Sequence, residues 1–153
     1  MIKQIAYIGS DFHPRNAIDI SVGDKITGLR ISAMPSSRFG NEEFAIDWAT
    51  RNIAGKVVDV EVVLKETFIR TGYYKINTMH FVKDQPILTQ RAGYWQWKFP
   101  HQIVTGDKLF GKDSVIQVES NLFIEANCQT YEVTVDLYDT FFLNNVLVHN
   151  KIS

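Results

Sequence analysis

Short segments in which apolar and polar residues alternate recur along the chain, and no other feature restricts its fold as strongly. They are KVVDVEVV at 56–63, YYKINTMHFV at 73–82, SVIQV at 114–118, TYEVTVDL at 130–137 and VLVH at 146–149. A period of two residues places every second side chain on one face, and Val, Ile, Tyr and Phe suit that pleated surface, so these segments predict β-strands. NEEFAIDWAT at 41–50 is the one helical candidate, because its acidic pair suits a helix N-terminus and Phe44, Ile46 and Trp48 give a mixed periodic signal. AMPSSRFGN before it has the Pro, Ser and Gly content of a loop.

A second pattern organises these strands. ISVGDKI at 20–26 and IVTGDKLF at 103–110 share Ile, two residues, Gly-Asp-Lys and an apolar residue. In each, Gly supplies a turn conformation, Asp bonds locally and a strand follows at once, which is consistent with a duplicated unit. The chain has 153 residues, enough for one domain with its own core, here taken as 1–153. Its 16 basic and 17 acidic side chains leave a net charge of -1, which gives no electrostatic case for nucleic acid. No apolar run approaches a membrane span or a secretory signal, so neither a membrane nor an exported form is expected.

Candidate chemistry is concentrated at the end of the chain. Asn150 can attack its own carbonyl carbon through the side-chain amide nitrogen, forming a succinimide and releasing the amine of Lys151, and the adjacent His149 can assist as a proton donor. The same pair also suits an ordinary strand end. Elsewhere the signals are structural. Cys128 is a small residue expected before a strand, with no His near it, and it can form no internal disulfide as the lone cysteine. His80 alternates with Phe81 on a strand and is expected at the surface. His13 and His101 sit beside prolines without partners at ligand spacing, so no metal site and no cofactor is expected. No paired carboxylates, Ser-His arrangement or phosphate-binding glycine loop points to an external small-molecule substrate.

TYEVTVDLYDTFFLNNVLVHN resembles the C-terminal blocks of inteins and of the wider Hint family shared with Hedgehog autoprocessing domains. VKDQPILTQRAGYWQWKFPHQIVTGDKLF is similar to the middle block of that family, and AYIGSDFHPRNAIDISVGDKITG to its N-terminal block. The resemblance covers nearly the whole chain in order. It implies an all-β horseshoe of pseudo-duplicated halves with at most a short helix near 41–50. It also assigns positions: His149 and Asn150 match the penultimate His and terminal Asn, and Asp139 falls where members carry His or Asp.

Four positions depart from the family. Met1 stands where splicing members have a Cys or Ser nucleophile, and a thioether attacks no peptide bond. Val82 and Gln85 replace the middle-block Thr and His, and the Gln carboxamide does not titrate. Lys151 follows the Asn where splicing requires Cys, Ser or Thr. Splicing is therefore not expected, and two functions remain. One is a non-catalytic module for assembly with other proteins. The other is cleavage after Asn150. Hint-like domains with LVHNK endings are similar to segments of bacteriophage virion proteins of the tail and baseplate, which implies virion structural subunits as partners and a virion made in the host cytoplasm as the location. Trp95 and Trp97, on one strand face, are expected to pack on the core or on a partner, and with Phe141, Phe142 and the unpaired strand edges they are the surfaces expected to meet neighbours.

Overall fold

The computed structural model describes residues 3–4, 6–8, 14–16, 20–32, 34, 47–143 and 145–150. Fourteen strands lie among these residues: β1 (Lys3–Gln4), β2 (Ala6–Ile8), β3 (Pro14–Asn16), β4 (Lys25–Ile31), β5 (Ala49–Thr50), β6 (Gly55–Ile76), β7 (Met79–Phe81), β8 (Ile87–Arg91), β9 (Tyr94–Lys98), β10 (Lys108–Leu109), β11 (Ile116–Gln117), β12 (Asn121–Val135), β13 (Thr140–Leu143) and β14 (Val146–His149). A 3-10 turn, Pro100–Gln102, joins β9 to the strands that follow. The chain is all-β, as its alternation predicts.

The frame is a long antiparallel ribbon of β6 and β12, in register from Ile76 opposite Asn121 to Val62 opposite Val135. Irregularities at Glu125/Cys128 and Thr134/Val135 interrupt the ladder, and such bulges bend and twist a ribbon. One sheet has the order β1-β12-β6-β4, with β7 on β6, and a second runs β11-β10-β8-β14-β13, with β9 on β8 and β5 on β9. The pair β2–β3 stands apart.

The duplicated turns are equivalent bond for bond. In the first, Gly23 N–H donates to Val62 O and Val62 N–H to Asp24 O, while the Asp24 carboxylate accepts Ser21 N–H at 2.9 Å. In the second, Gly106 N–H donates to Val118 O and Val118 N–H to Asp107 O, while the Asp107 carboxylate accepts Val104 N–H at 3.0 Å. Both glycines hold left-handed φ values, 98° and 96°, which explains the residue type. The second copy carries an ion pair on its aspartate. Arg91 grips Asp107 through two bonds of 2.8 and 2.7 Å. Burial alone would raise the Asp107 carboxyl, yet Arg91 and the Val104 amide hold it below the usual carboxylate range.

The hairpin β13–β14 closes this arrangement, with Leu143 opposite Val146 and a two-residue connection in which Asn145 has a φ of 67°. Each strand leans on one copy. Thr140 Oγ1 donates to Leu29 O at 2.6 Å and accepts Leu29 N–H at 3.1 Å. On the other side Leu147 N–H donates to Phe110 O, and Gly111 bridges Val146. Successive residues of β13 enter different cores. Phe141 joins the cluster of Ile20, Ile26, Val60, Ile103 and Leu109, and Phe142 joins Leu29, Leu88, Trp95, Trp97 and Leu147.

Several expectations are corrected here. Trp95, Trp97, Phe141 and Phe142 form no partner-binding surface: they are 7%, 3%, 1% and 3% exposed, because Phe110, Leu88 and Leu147 cover the inner face of β9 and both sides of β13 are roofed by core. Of the helical candidate, Asp47 alone is helical among the described residues, and Ala49–Thr50 pair instead with β9 as β5; residues 41–46 lie outside those described. Cys128 lies within β12, not before it, fully buried with its sulfur 3.6 Å from Arg70 O. His80 is half-buried on β7, its ring 4.7 Å from that of Tyr73. His101 is exposed in the 3-10 turn, and His13 lies outside the described residues.

Candidate functional site

The turn between β12 and β13 prepares the site. Leu137 and Asp139 both adopt left-handed φ, 63° and 65°, and Asp136 fixes the turn by accepting Glu61 N–H at 2.8 Å while donating its own N–H to Glu61 O. The fold of this turn aims the Asp139 carbonyl at the end of β14, where it accepts Asn150 N–H at 2.7 Å. The Asp139 carboxylate is buried beside the Asn150 carboxamide, with Oδ1 3.4 Å from Nδ2.

Asn150 carries the most specific geometry in the molecule. Its Oδ1 accepts Val135 N–H at 2.9 Å and its Nδ2 donates to Val135 O at 2.9 Å. The carboxamide thus supplies the donor and acceptor that a neighbouring peptide unit would offer, and it completes the ladder at the last residue of β12. Buried backbone polar groups need such partners, and Val135 is 2% exposed. His149 and Asn150 hold the end of β14 in place through several elements at once. Among the described residues their bonds run to β12, to the 136–139 turn and to the segment before β8.

His149 is fully buried at the end of β14. Its Nδ1 lies 2.8 Å from the Asn150 carbonyl oxygen. A carbonyl only accepts, so Nδ1 carries the proton, and Nε2 is left with a lone pair that has no partner among the described residues. The ring meets Trp97 edge to face at 5.1 Å. Burial pushes its pKa below the ordinary 6.5, against the opposing pull of the Asn150 carbonyl and the Asp139 charge.

Gln85 reaches the same peptide from the other side. Its Nε2 donates to His149 O at 2.7 Å and to Pro86 O at 3.2 Å, while His149 N–H donates to Pro86 O. The peptide between His149 and Asn150 is therefore held at both ends, by Gln85 at its oxygen and by Asp139 at its nitrogen. Val82 is buried three residues earlier and accepts Gln85 N–H through its carbonyl. Met1 and Lys151 lie outside the described residues. No three His, Cys, Asp or Glu side chains converge as a metal site among the described residues.

The arrangement favours one reaction and restrains it at the same time. The proton on His149 Nδ1 sits where negative charge would develop on the Asn150 carbonyl oxygen during cyclisation. The attacking nitrogen, however, is engaged with Val135 O and Asp139, and the carboxamide must leave Val135 before it can turn onto its own carbonyl carbon. The structure brings His149, Asn150 and Asp139 together. Val135 acts through its backbone and gives no side-chain signal in the sequence, and Gln85, read there as a departure from the family's His, bonds the His149 carbonyl through its amide.

No protein-family model matches the chain, and no curated protein matches it in sequence. Solved structures do match. A bacterial intein-like domain from Clostridium thermocellum superposes with a TM-score of 0.68 at 20% identity, over 98% of this chain and 99% of that one. The MchDnaB-1 intein gives 0.61 at 16%, covering 97% and 100%. A DnaB intein from Synechocystis gives 0.62 at 13%, covering 97% and 99%. The chain has, over nearly its whole length, the fold of the inteins and intein-like domains, a Hint-like fold.

Proposed function

We propose that this Hint-like domain does not splice and serves as a structural module in a protein assembly, with the component of a bacteriophage tail or baseplate as the setting its LVHNK ending suggests. One observation carries the reading: the carboxamide of Asn150 is committed to both backbone groups of Val135 and so closes the sheet. The sequence departures agree with it. A thioether at Met1 and an amine-bearing Lys151 offer no nucleophile of the splicing kind, and Gln85 spends its amide on the His149 carbonyl. The partners on this reading are other structural subunits, not nucleic acid or a small molecule.

A second reading, cleavage after Asn150, is favoured by the 2.8 Å contact of His149 Nδ1 with the carbonyl that would be attacked. Intact mass of the purified protein, followed for several days at neutral pH beside Asn150→Ala, separates the two. A constant mass supports the structural module. Loss of the segment after Asn150 from the wild type alone makes the domain a self-cleaving one.

A further inference from the structure

Beside the Asn150 site, an open groove of about 770 Å³ runs between the end of β4 and the 137–139 turn. Arg30 and Lys56 stand on its rim as register partners of the β4–β6 ladder. Residues directly opposite in an antiparallel pair share one face at close range, and like charges there repel. The far end of the same ladder is built the other way, with Lys25 opposite Glu61. Both rim cations are exposed, and among the described residues neither forms an ion pair; Arg30 lies over the Tyr138 ring at 5.4 Å instead.

The inner wall adds little opposing charge. Asp139 lines the groove but is 8% exposed, and its carboxylate faces the Asn150 amide. Leu137 supplies an apolar wall that is 49% exposed, and Ser32 and Gly55 complete the lining. Among the described residues the groove is thus positive on its accessible side, in a chain whose net charge is -1. Two cations do not track the many phosphates of a nucleic acid, for which a wider basic surface is required. They do match one or two carboxylates beside an apolar side chain.

We propose that this groove is the docking site for an acidic extended segment of a partner protein, recognised by Arg30 and Lys56 with an apolar neighbour resting on Leu137. The proposal rests on the assembly reading above and adds the chemistry of the partner to it. Complementary charge of this kind sets partner choice and encounter rate more than raw affinity.

The test uses the full chain, isotope-labelled for amide NMR and titrated with a short end-capped peptide of Glu and Leu, beside a counterpart in which Lys replaces Glu. Saturable shifts are expected at Arg30, Ser32, Gly55, Lys56 and residues 137–139, weakening with added salt. The double variant Arg30→Gln/Lys56→Gln should bind about tenfold more weakly; its unfolding in urea, which relief of the like-charge pair should not impair, shows that the fold is kept. Absence of saturable shifts, shifts centred elsewhere, equal binding of the Lys peptide, or undiminished binding by the folded double variant would overturn the groove assignment. Intact mass on the same sample reports separately on the underlying reading. A constant mass without binding removes the groove alone, and cleavage after Asn150 with binding removes the non-catalytic module while the groove stands.

Discussion

Replacing Asn150 measures directly whether its carboxamide is a structural rung. In Asn150→Ala the donor and the acceptor of Val135 both lose their partner at a position where Asn150 itself is 7% exposed. An unsatisfied buried polar group costs roughly 1–3 kcal/mol, and water entering the vacated edge keeps each loss near the lower end, so about 2–3 kcal/mol is expected in total. Asn150→Asp preserves shape and keeps an acceptor for Val135 N–H, but it turns a second oxygen toward Val135 O and toward the Asp139 carboxylate. Both contacts favour the protonated acid, so the carboxyl of this variant has a raised pKa in the folded state. The folded form then binds more protons than the unfolded one, and stability falls as pH rises. Urea unfolding followed by circular dichroism at pH 5 and pH 8 should show Asn150→Ala weakened similarly at both. Asn150→Asp should be weakened by about 3 kcal/mol at pH 8 and recover part of that at pH 5. The rung argument fails if Asn150→Ala unfolds within about 0.5 kcal/mol of wild type, or if Asn150→Asp matches wild type at pH 8.

Two further outcomes follow from the same geometry. Burial lowers the His149 pKa below its ordinary 6.5, so the unfolded chain takes up the proton first; stability from this residue is complete above that value and is lost as pH falls below it, with a slope of up to about 1.4 kcal/mol per pH unit. The acid branch of a urea-midpoint titration should flatten in His149→Gln, and an unchanged branch would assign the acid sensitivity elsewhere. Gly28→Ala should destabilise by about 1–3 kcal/mol, since a Cβ there runs into the Thr140 carbonyl and lies 3.2 and 3.3 Å from the Val60 methyls; a midpoint equal to wild type would show that β13 can move away freely.

Much of this architecture is legible in the residues, and the failures have physical causes. VLVH reads as a strand at the observed bounds of β14, whose four residues are all buried because one core takes Val146 and Val148 and the other takes Leu147. KVVDVEVV and YYKINTMHFV read as two separate strands, whereas β6 runs unbroken through 64–72. Over that stretch exposed residues alternate with residues that are only half-buried, and the half-buried side includes Glu66 and Arg70, so LKETFIRTG carries little hydrophobic period. The start of β12 was missed for the same reason, with Leu122 and Phe123 exposed beside Glu125 and Asn127. The Gly-Asp-Lys echo was informative because a left-handed glycine and a self-capping Asp are local requirements. Trp95 and Trp97 misled because exposure depends on what the rest of the chain brings to β9, and spacing alone does not carry that information. At the site, the identities of His149, Asn150 and Asp139 were readable, while the partners that decide their chemistry are backbone groups of Val135 and Pro86.

The bonds made by the closing hairpin also order events in time. Asn150 meets Val135 across 15 residues of chain, but Thr140 meets Leu29 across 111. Closing the longer loop costs more chain entropy and is repaid only when both cores condense around β13. Folding should therefore be slow for a domain of this size and limited by the arrival of β13 on β4. The Asn150 rung on Val135 closes only 15 residues and costs less chain entropy, so it does not have to wait for β13 to dock, and any chemistry at that residue is not held back until the whole fold is complete.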